Sequence, residues 1–433
     1  MSKKIVIIGA GPAGLSCAYW LKKFGFNPLI FEKESRPGGL LRTEKFGNYQ
    51  FDYAGHLLHF QNPEIERWVK NIVGKSNLNK FKRKSFIYYK EKLLPYPFQV
   101  NTYGLPPQIV KECLLGFIEA GLKRKKRAKN FKEWILMNFG KGFANHFFFP
   151  FNEKFWKIPL DEIEIDWTDW SIPVPSLEDV IDGALGISKK DYGYNVWFYY
   201  PKQGGIEFFA QKLAEKVGKI FLNREIIAVH LKNKKILLDN KEEIEYDYLI
   251  STMPLRELIL KMVDIPDNLK EMAKKLRYIS VICLNLGVKS PEFPEYHWIY
   301  FPEKKFVFYR AGFYANFSGK SSKYQSIVLE ITHLPQNPVE KKSDFTKKSI
   351  KAFEKAGFLA KGKIDYIGMM KIPYAYVVYD EHRRKTLPKL FNFLKKNQIF
   401  SIGRYGGWRY STTESALIEG KNLAEKLAKC ECG

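Results

Sequence analysis

The sequence predicts an α/β protein in which one discontinuous parallel-sheet domain carries a helical insertion and an antiparallel β-sheet domain. Three observations predict it. A short β-branched run passes through clustered glycines into a helical pattern at Ile5–Gly25. A helical period occupies residues 105–165, and a two-residue alternation sets in after residue 276. At 433 residues, 45% hydrophobic and 27% charged, the chain fits a globular protein of two or three units.

Composition narrows the class. The aromatic content of 16% serves a core, a pocket for flat ligands, or both. The formal charge of +25 points to an anionic partner or to a lysine-rich solvated surface, and the sequence leaves both open. The run Lys123–Lys129 reads first as a solvated helix end or loop, with a membrane or nucleic-acid patch as the lesser reading; for the chain as a whole no nucleic-acid partner is expected. Five scattered cysteines argue against a disulfide framework and for a reducing compartment. Cys430 and Cys432 lack neighbouring ligands, so no metal is expected. No apolar run approaches the roughly 20 residues that span a bilayer. The expectation is a cytoplasmic protein, soluble or in peripheral contact with a membrane.

The elements follow in order. Ile5–Ile8 is a buried-type strand. Gly9, Gly11 and Gly14 then form G-x-G-x-x-G: room for the turn, for a pyrophosphate and for helix packing. The helix start holds the anion. The next strand ends in Glu32, 18 residues after Gly14 and close to the ~20 expected for a ribose-binding acid. This is a Rossmann-like dinucleotide-binding unit. "KESRPGGLLRT" follows, with Arg36, Gly38, Gly39 and Arg42. It resembles the second fingerprint of FAD-dependent oxidoreductases of the amine oxidase and protoporphyrinogen oxidase type.

Two distant stretches complete this domain. "IEYDYLISTMP" is a strand that stops at Ser251-Thr252. "IFSIGRYGGWRYSTTESALIEGKNLAEKL" is a strand, a glycine-rich turn and a helix capped near Thr412 or Thr413, with Glu414 in its first turn. The FAD domain is therefore expected in three parts, residues 1–80, 204–275 and 396–433. Between them lie substrate-domain strands (81–104), the helical insertion (105–165), a cleft segment (166–203) and the antiparallel sheet (276–395). "FFPFNEKFWKIP" is too aromatic for a plain linker and reads mostly as helix packing.

Read together and in order, "GHLLHF", "LPYPFQVN", "FKEWILMNFGKGFANHFFFPFNEKFWKIP", "FYYPKQGG", "ISTMP", "WIYFPEKKFVFYR" and "GRYGGWRY" resemble the UDP-galactopyranose mutase family, its eukaryotic-type members most closely. The resemblance covers almost the whole chain. It implies a redox-neutral interconversion of the pyranose and furanose forms of UDP-galactose, in which N5 of reduced FAD is the nucleophile at the anomeric carbon. NADH or NADPH would reduce the flavin, and the product would serve cell-surface polysaccharide biosynthesis. It sets no oligomeric state.

The resemblance also implies residue roles. Arg310, Tyr300, Tyr374 and Tyr410 would bind the diphosphate, Tyr96, Phe98 and Gln99 the uridine, and Asn195 the substrate. Arg310 and His56, the latter on a loop over the flavin, would be the catalytic pair. FAD would be held by Gly9, Gly11, Pro12, Ala13, Gly14, Glu32, Lys33, Arg36, Gly38, Gly39, Leu40, Arg42, His56, Ile227, Thr252, Met253, Gly403, Arg404, Tyr410, Ser411 and Thr412. The chemistry is apt: Arg matches phosphate oxygens with a fork, tyrosine hydroxyls donate without adding charge, and an amide pairs with a uracil edge. Three departures stand out. Ser171 replaces a second diphosphate arginine, Glu414 an asparagine, and Ala54 a glycine before Gly55. The first two make the site less cationic and keep open an FAD-dependent oxidoreductase acting on another substrate.

Overall fold

A computed structural model describes residues 3–123, 127–168, 172–188, 190–192, 196–289, 294–319, 323–337, 342–359 and 363–432. The parallel sheet is assembled from three separated parts of the chain. Ile5–Ile8 is flanked by Leu29–Phe31 on one side and Tyr248–Ser251 on the other, and Ile399–Ser401 closes the row. All four residues of Ile5–Ile8 are buried, which is why that strand shows no alternation. The helix Pro12–Lys23 opens on proline, whose missing N–H costs nothing at that position. It packs against Glu207–Val217 and the final helix Thr413–Cys432.

The second sheet has seven strands in the order Ile364–Val377, Tyr278–Lys289, Tyr324–His333, Arg310–Phe313, Trp298–Tyr300, Ser85–Tyr89 and Lys92–Pro95. It is antiparallel except at one join, where Trp298–Tyr300 runs parallel to Ser85–Tyr89. The expectation of a purely antiparallel sheet is corrected there: the hairpin from the first gap adds onto the edge of a sheet built from the second. Tyr278–Lys289 and Ile364–Val377 slip register between Ile279 and Val281, a bulge centred on Pro373–Ala375.

The helical insertion contains Pro107–Leu122, Phe131–Phe143 and Phe149–Trp156. Asn130 caps the second by accepting the Glu133 N–H. A π-turn, Ala144–Phe148, leads into the third. It aligns Phe147, Phe151 and Phe155 in a stacked row with ring separations of 5.4 and 6.2 Å. Lys154, buried, donates to the carbonyls of Phe301 and Glu303 at 2.6 Å each and pins this row to the sheet. Among the described residues, no helix is long and apolar enough to cross a membrane.

Candidate active site

The carboxyl ends of the parallel strands meet the glycine turns. Gly9 adopts φ +94°, and a Cβ there would lie 2.3 Å from Thr252 Oγ1. Thr252 reaches that place by donating both its N–H and its hydroxyl to the Ile8 carbonyl. Gly11 begins its helix as an N-cap that offers no side-chain acceptor, so the first-turn N–H groups of Ala13 and Gly14 lack a side-chain partner. Gly39 lies opposite, its Cβ position 3.2 Å from Gly11 Cα, and the Gly38 N–H donates to the Ala10 carbonyl. Glu32 accepts the N–H groups of Ala10 (2.7 Å) and Glu34 (3.0 Å), which fixes its carboxylate at the strand end. Gly403 backs onto Ala13. This cradle fits a dinucleotide.

The remaining residues expected at the cofactor differ in placement. Met253 is partly buried against the core beside Thr252. Lys33 is exposed, and so is Ile227. Arg36 pairs with Glu44 (2.6 Å) and Glu207 (3.3 Å). Arg42 pairs with Glu34 (3.0 Å) and lies over the Tyr53 ring. Neither arginine lines the cavity described next.

One cavity opens between the two sheets and the insertion. It brings together Leu40, His56, Tyr96, Gln99, Tyr300, Arg310, Arg404, Tyr410, Ser411 and Thr412. Tyr96 stacks on Tyr300 at 5.1 Å. Gln99 is buried, and its amide donates to the Pro173 carbonyl at 3.0 Å. Arg404 donates to the carbonyls of Ser411 and Ala375, both at 2.8 Å, and lies 4.5 Å over the Tyr410 ring.

Arg310 is the centre of the electrostatics. Its Nε and Nη2 donate to the two oxygens of Glu330 at 3.0 and 2.8 Å, its guanidinium lies 5.0 Å over Trp298, and Tyr309 donates to the same carboxylate. Burial works against the Arg310 charge, but the Glu330 carboxylate more than offsets it and holds the guanidinium well above its ordinary range. His56 donates from Nδ1 to the Ala54 carbonyl at 3.2 Å. Burial, with help from Arg404, lowers its pKa to about 4, so the ring is neutral with Nε2 bare at neutral pH. Ala54 holds φ +57°, an unusual value for a residue with a Cβ, and Gly55 has no room for a side chain against the Trp298 ring.

Several expectations are corrected. Phe98 is fully buried and stacks on Phe147 at 5.0 Å, outside the cavity, because the 3₁₀ turn Phe98–Val100 points it into the insertion. Tyr374 donates to Glu257 and packs its ring, tilted, against Tyr278 at 4.1 Å, away from the cavity. The bulge puts Tyr376 into the cavity instead. Glu414 does not face the cavity: its Oε1 accepts the N–H groups of Gln61 (2.9 Å) and Asn62 (2.7 Å). Asn195 and Ser171 lie outside the described residues.

The cavity also holds residues that sequence reading passed over: Arg83, Asn152, Trp156, Trp298, Tyr376 and Tyr379. Arg83 lies 5.0 Å over the Tyr96 ring, yet in "FKRKS" it reads as one more surface cation. Asn152 and Trp156 sit in the aromatic stretch read as packing; their offset of four on one helix turn was the available signal. Among the described residues, no cluster of three His, Cys, Asp or Glu could hold a metal.

A glycine-turn cradle at the ends of parallel strands, facing a walled cavity over a second sheet, defines a dinucleotide-dependent enzyme of the flavoprotein class. The chain belongs to the flavin containing amine oxidoreductase family, whose model matches residues 12–341, and membership implies FAD as cofactor. It is similar to the crystal structure of reduced UDP-galactopyranose mutase, with 28% identity and a TM-score of 0.92 over 99% of this chain and 94% of that one. It is 26% identical over 357 residues to 1-hydroxycarotenoid 3,4-desaturase from Flavobacterium sp. (strain P99-3), covering 74% of this chain and 70% of the relative. With coproporphyrinogen III oxidase from Staphylococcus aureus (strain NCTC 8325 / PS 47) it shares 32% identity over 112 residues, 25% of this chain and 24% of the relative.

Proposed function

We propose that the protein is a flavin-dependent mutase that interconverts the pyranose and furanose forms of a UDP-linked sugar. The observation that carries this is the gathering of Tyr96, Gln99, Tyr300, Arg310 and Tyr410 around one cavity beside the cofactor cradle, in a chain similar over 99% of its length to a UDP-galactopyranose mutase. Bound and reduced, FAD supplies the nucleophile, with NADH or NADPH as reductant. The chain supplies the rest. The Tyr96–Tyr300 stack offers a face to the uracil, and Gln99 an amide edge. Arg310, oriented by Glu330, presents its free Nη1 edge to the diphosphate, and the hydroxyls of Tyr376 and Tyr410 donate beside it. His56 keeps its proton on Nδ1 against the Ala54 carbonyl and so adds no positive charge to the sugar end. The Phe147–Phe151–Phe155 row excludes water. Reduced protein incubated with UDP-galactofuranose is expected to yield UDP-galactopyranose without consuming an electron acceptor; no conversion would refute the reading.

A second reading, an FAD oxidoreductase on another substrate, is favoured by one observation. Glu330 neutralises Arg310 in a cavity walled largely by aromatic rings, and the desaturase relative matches over most of its length. Turnover that consumes an acceptor in proportion to product would favour it.

A further inference from the structure

We propose that a second cavity, lined by Arg256, Lys274, Lys275 and Arg277, is a binding site for a nucleoside polyphosphate, separate from the cavity at the cofactor cradle. It lies where the helix Leu255–Leu260 meets the end of the helix Asp267–Lys274 and the start of the strand Tyr278–Lys289. None of its lining residues lines the main cavity. Tyr278 lines this one and packs its ring against Tyr374, which lines neither. Its volume of about 530 Å³ lies within the roughly 300–1,000 Å³ of small-molecule sites.

The wall is sorted by chemistry. Four lining residues are cations, and none is Asp or Glu. The nearby carboxylates stand outside the lining and orient the cations. Arg277 donates from Nε to Asp380 and from Nη1 to Glu162, both at 2.7 Å, and Arg256 donates from Nη1 to Glu257 at 3.2 Å. Nη2 of each arginine has no protein acceptor among the described residues, which leaves that edge for phosphate oxygens. Lys274 pairs with Glu271 at 2.7 Å, whereas Lys275 is exposed and makes no salt bridge among the described residues. The rest of the wall includes Leu276, Tyr278, Leu334 and Val378, with the amide of Gln336. An aromatic ring offers a stacking face and an amide both a donor and an acceptor, which suits a base. Inorganic phosphate would occupy the cationic part and leave the apolar part wet. A ligand that carries both chemistries fits the whole wall.

Calorimetric titration of the full-length, FAD-loaded protein with ATP in magnesium-free buffer tests this. Saturable binding is expected, and it should persist when Arg310→Met with Glu330→Leu removes the ion pair of the main cavity. Arg256→Gln with Lys275→Gln should weaken it at least about tenfold, with flavin content and circular dichroism unchanged. Lys275→Arg, which keeps the charge, should leave it as it was. Inorganic tripolyphosphate should bind at least about tenfold more weakly than ATP, because it has no base to stack. Binding that is absent, that is lost with Arg310→Met, or that ignores the substitutions at Arg256 and Lys275 overturns the proposal. Equal affinity for tripolyphosphate and ATP also overturns it, because the apolar wall then contributes nothing.

Discussion

Arg310 and Glu330 form a two-point ion pair across adjacent strands, at 3.0 and 2.8 Å, with the carboxylate fully buried. Removing the arginine alone leaves a buried charge unmatched, so Arg310→Ala should cost about 3–5 kcal/mol of stability. Arg310→Met with Glu330→Leu should recover most of that loss in denaturant titration. Neither variant should bind UDP by calorimetry, which separates the role of Arg310 in binding from its role in folding.

Tyr374 and Tyr376, two residues apart, should behave differently. Tyr376→Phe removes a cavity hydroxyl and should weaken UDP binding by about tenfold. Tyr374→Phe should leave UDP affinity unchanged and lower stability by about 1 kcal/mol, because its hydroxyl serves Glu257. Paired calorimetry and urea titrations read both.

Arg83 faces the cavity over Tyr96, whereas Arg36 is held by two carboxylates elsewhere. Arg83→Ala should raise the UDP dissociation constant by about tenfold or more. Arg36→Ala should not change it. Equal effects from both would contradict the placement.

Glu414 tethers the start of the helix Pro63–Val73 through two backbone N–H groups. Glu414→Ala should lower stability by about 1–2 kcal/mol, a capping-type loss, and leave UDP affinity as it was. A gain in affinity would mean that the carboxylate repels phosphate after all.

Stability should fall on mild acidification. Burial lowers the pKa of His297, whose Nδ1 accepts the Lys84 N–H, from 6.5 to about 4. Between those values the unfolded chain binds the proton and the folded chain does not, so stability present above pH 6.5 is lost as the pH drops towards 4. That single group is worth about 3 kcal/mol, and His56 and His59 act in the same direction. Asp52 opposes them: burial raises its pKa from 3.8 to about 6, so its own contribution favours the fold at low pH and is lost as pH rises through 6. Three histidines against one carboxyl should give a Tm lower at pH 4.5 than at pH 6.5, and His297→Gln should flatten that slope.

Much of this was legible in the residues. The cradle was, because a glycine turn, a strand-end acid and a helix start obey local rules that fix their neighbours. The cavity was legible where aromatic and amide residues cluster in rigid stretches, as at Tyr96 and Gln99. Tyr374 shows the limit. The choice between two tyrosines rests on a bulge in the pairing with a strand some ninety residues away, and an alternation pattern does not record register slips. Glu330 shows another limit: a lone acid in an apolar strand gives no sign of its partner until the adjacent strand is paired.

The four-stranded sheet draws on three separated parts of the chain, and its last strand, Ile399–Ser401, is followed one residue later by Gly403, which backs onto Ala13. The order of synthesis therefore matters. A nascent chain presents the glycine turn of Gly9–Gly14 nearly four hundred residues before the strand that completes it, so the first helix must wait with its apolar faces uncovered. Flavin capture is in this sense a late event of maturation, and a chain arrested anywhere before residue 399 would be expected to emerge colourless.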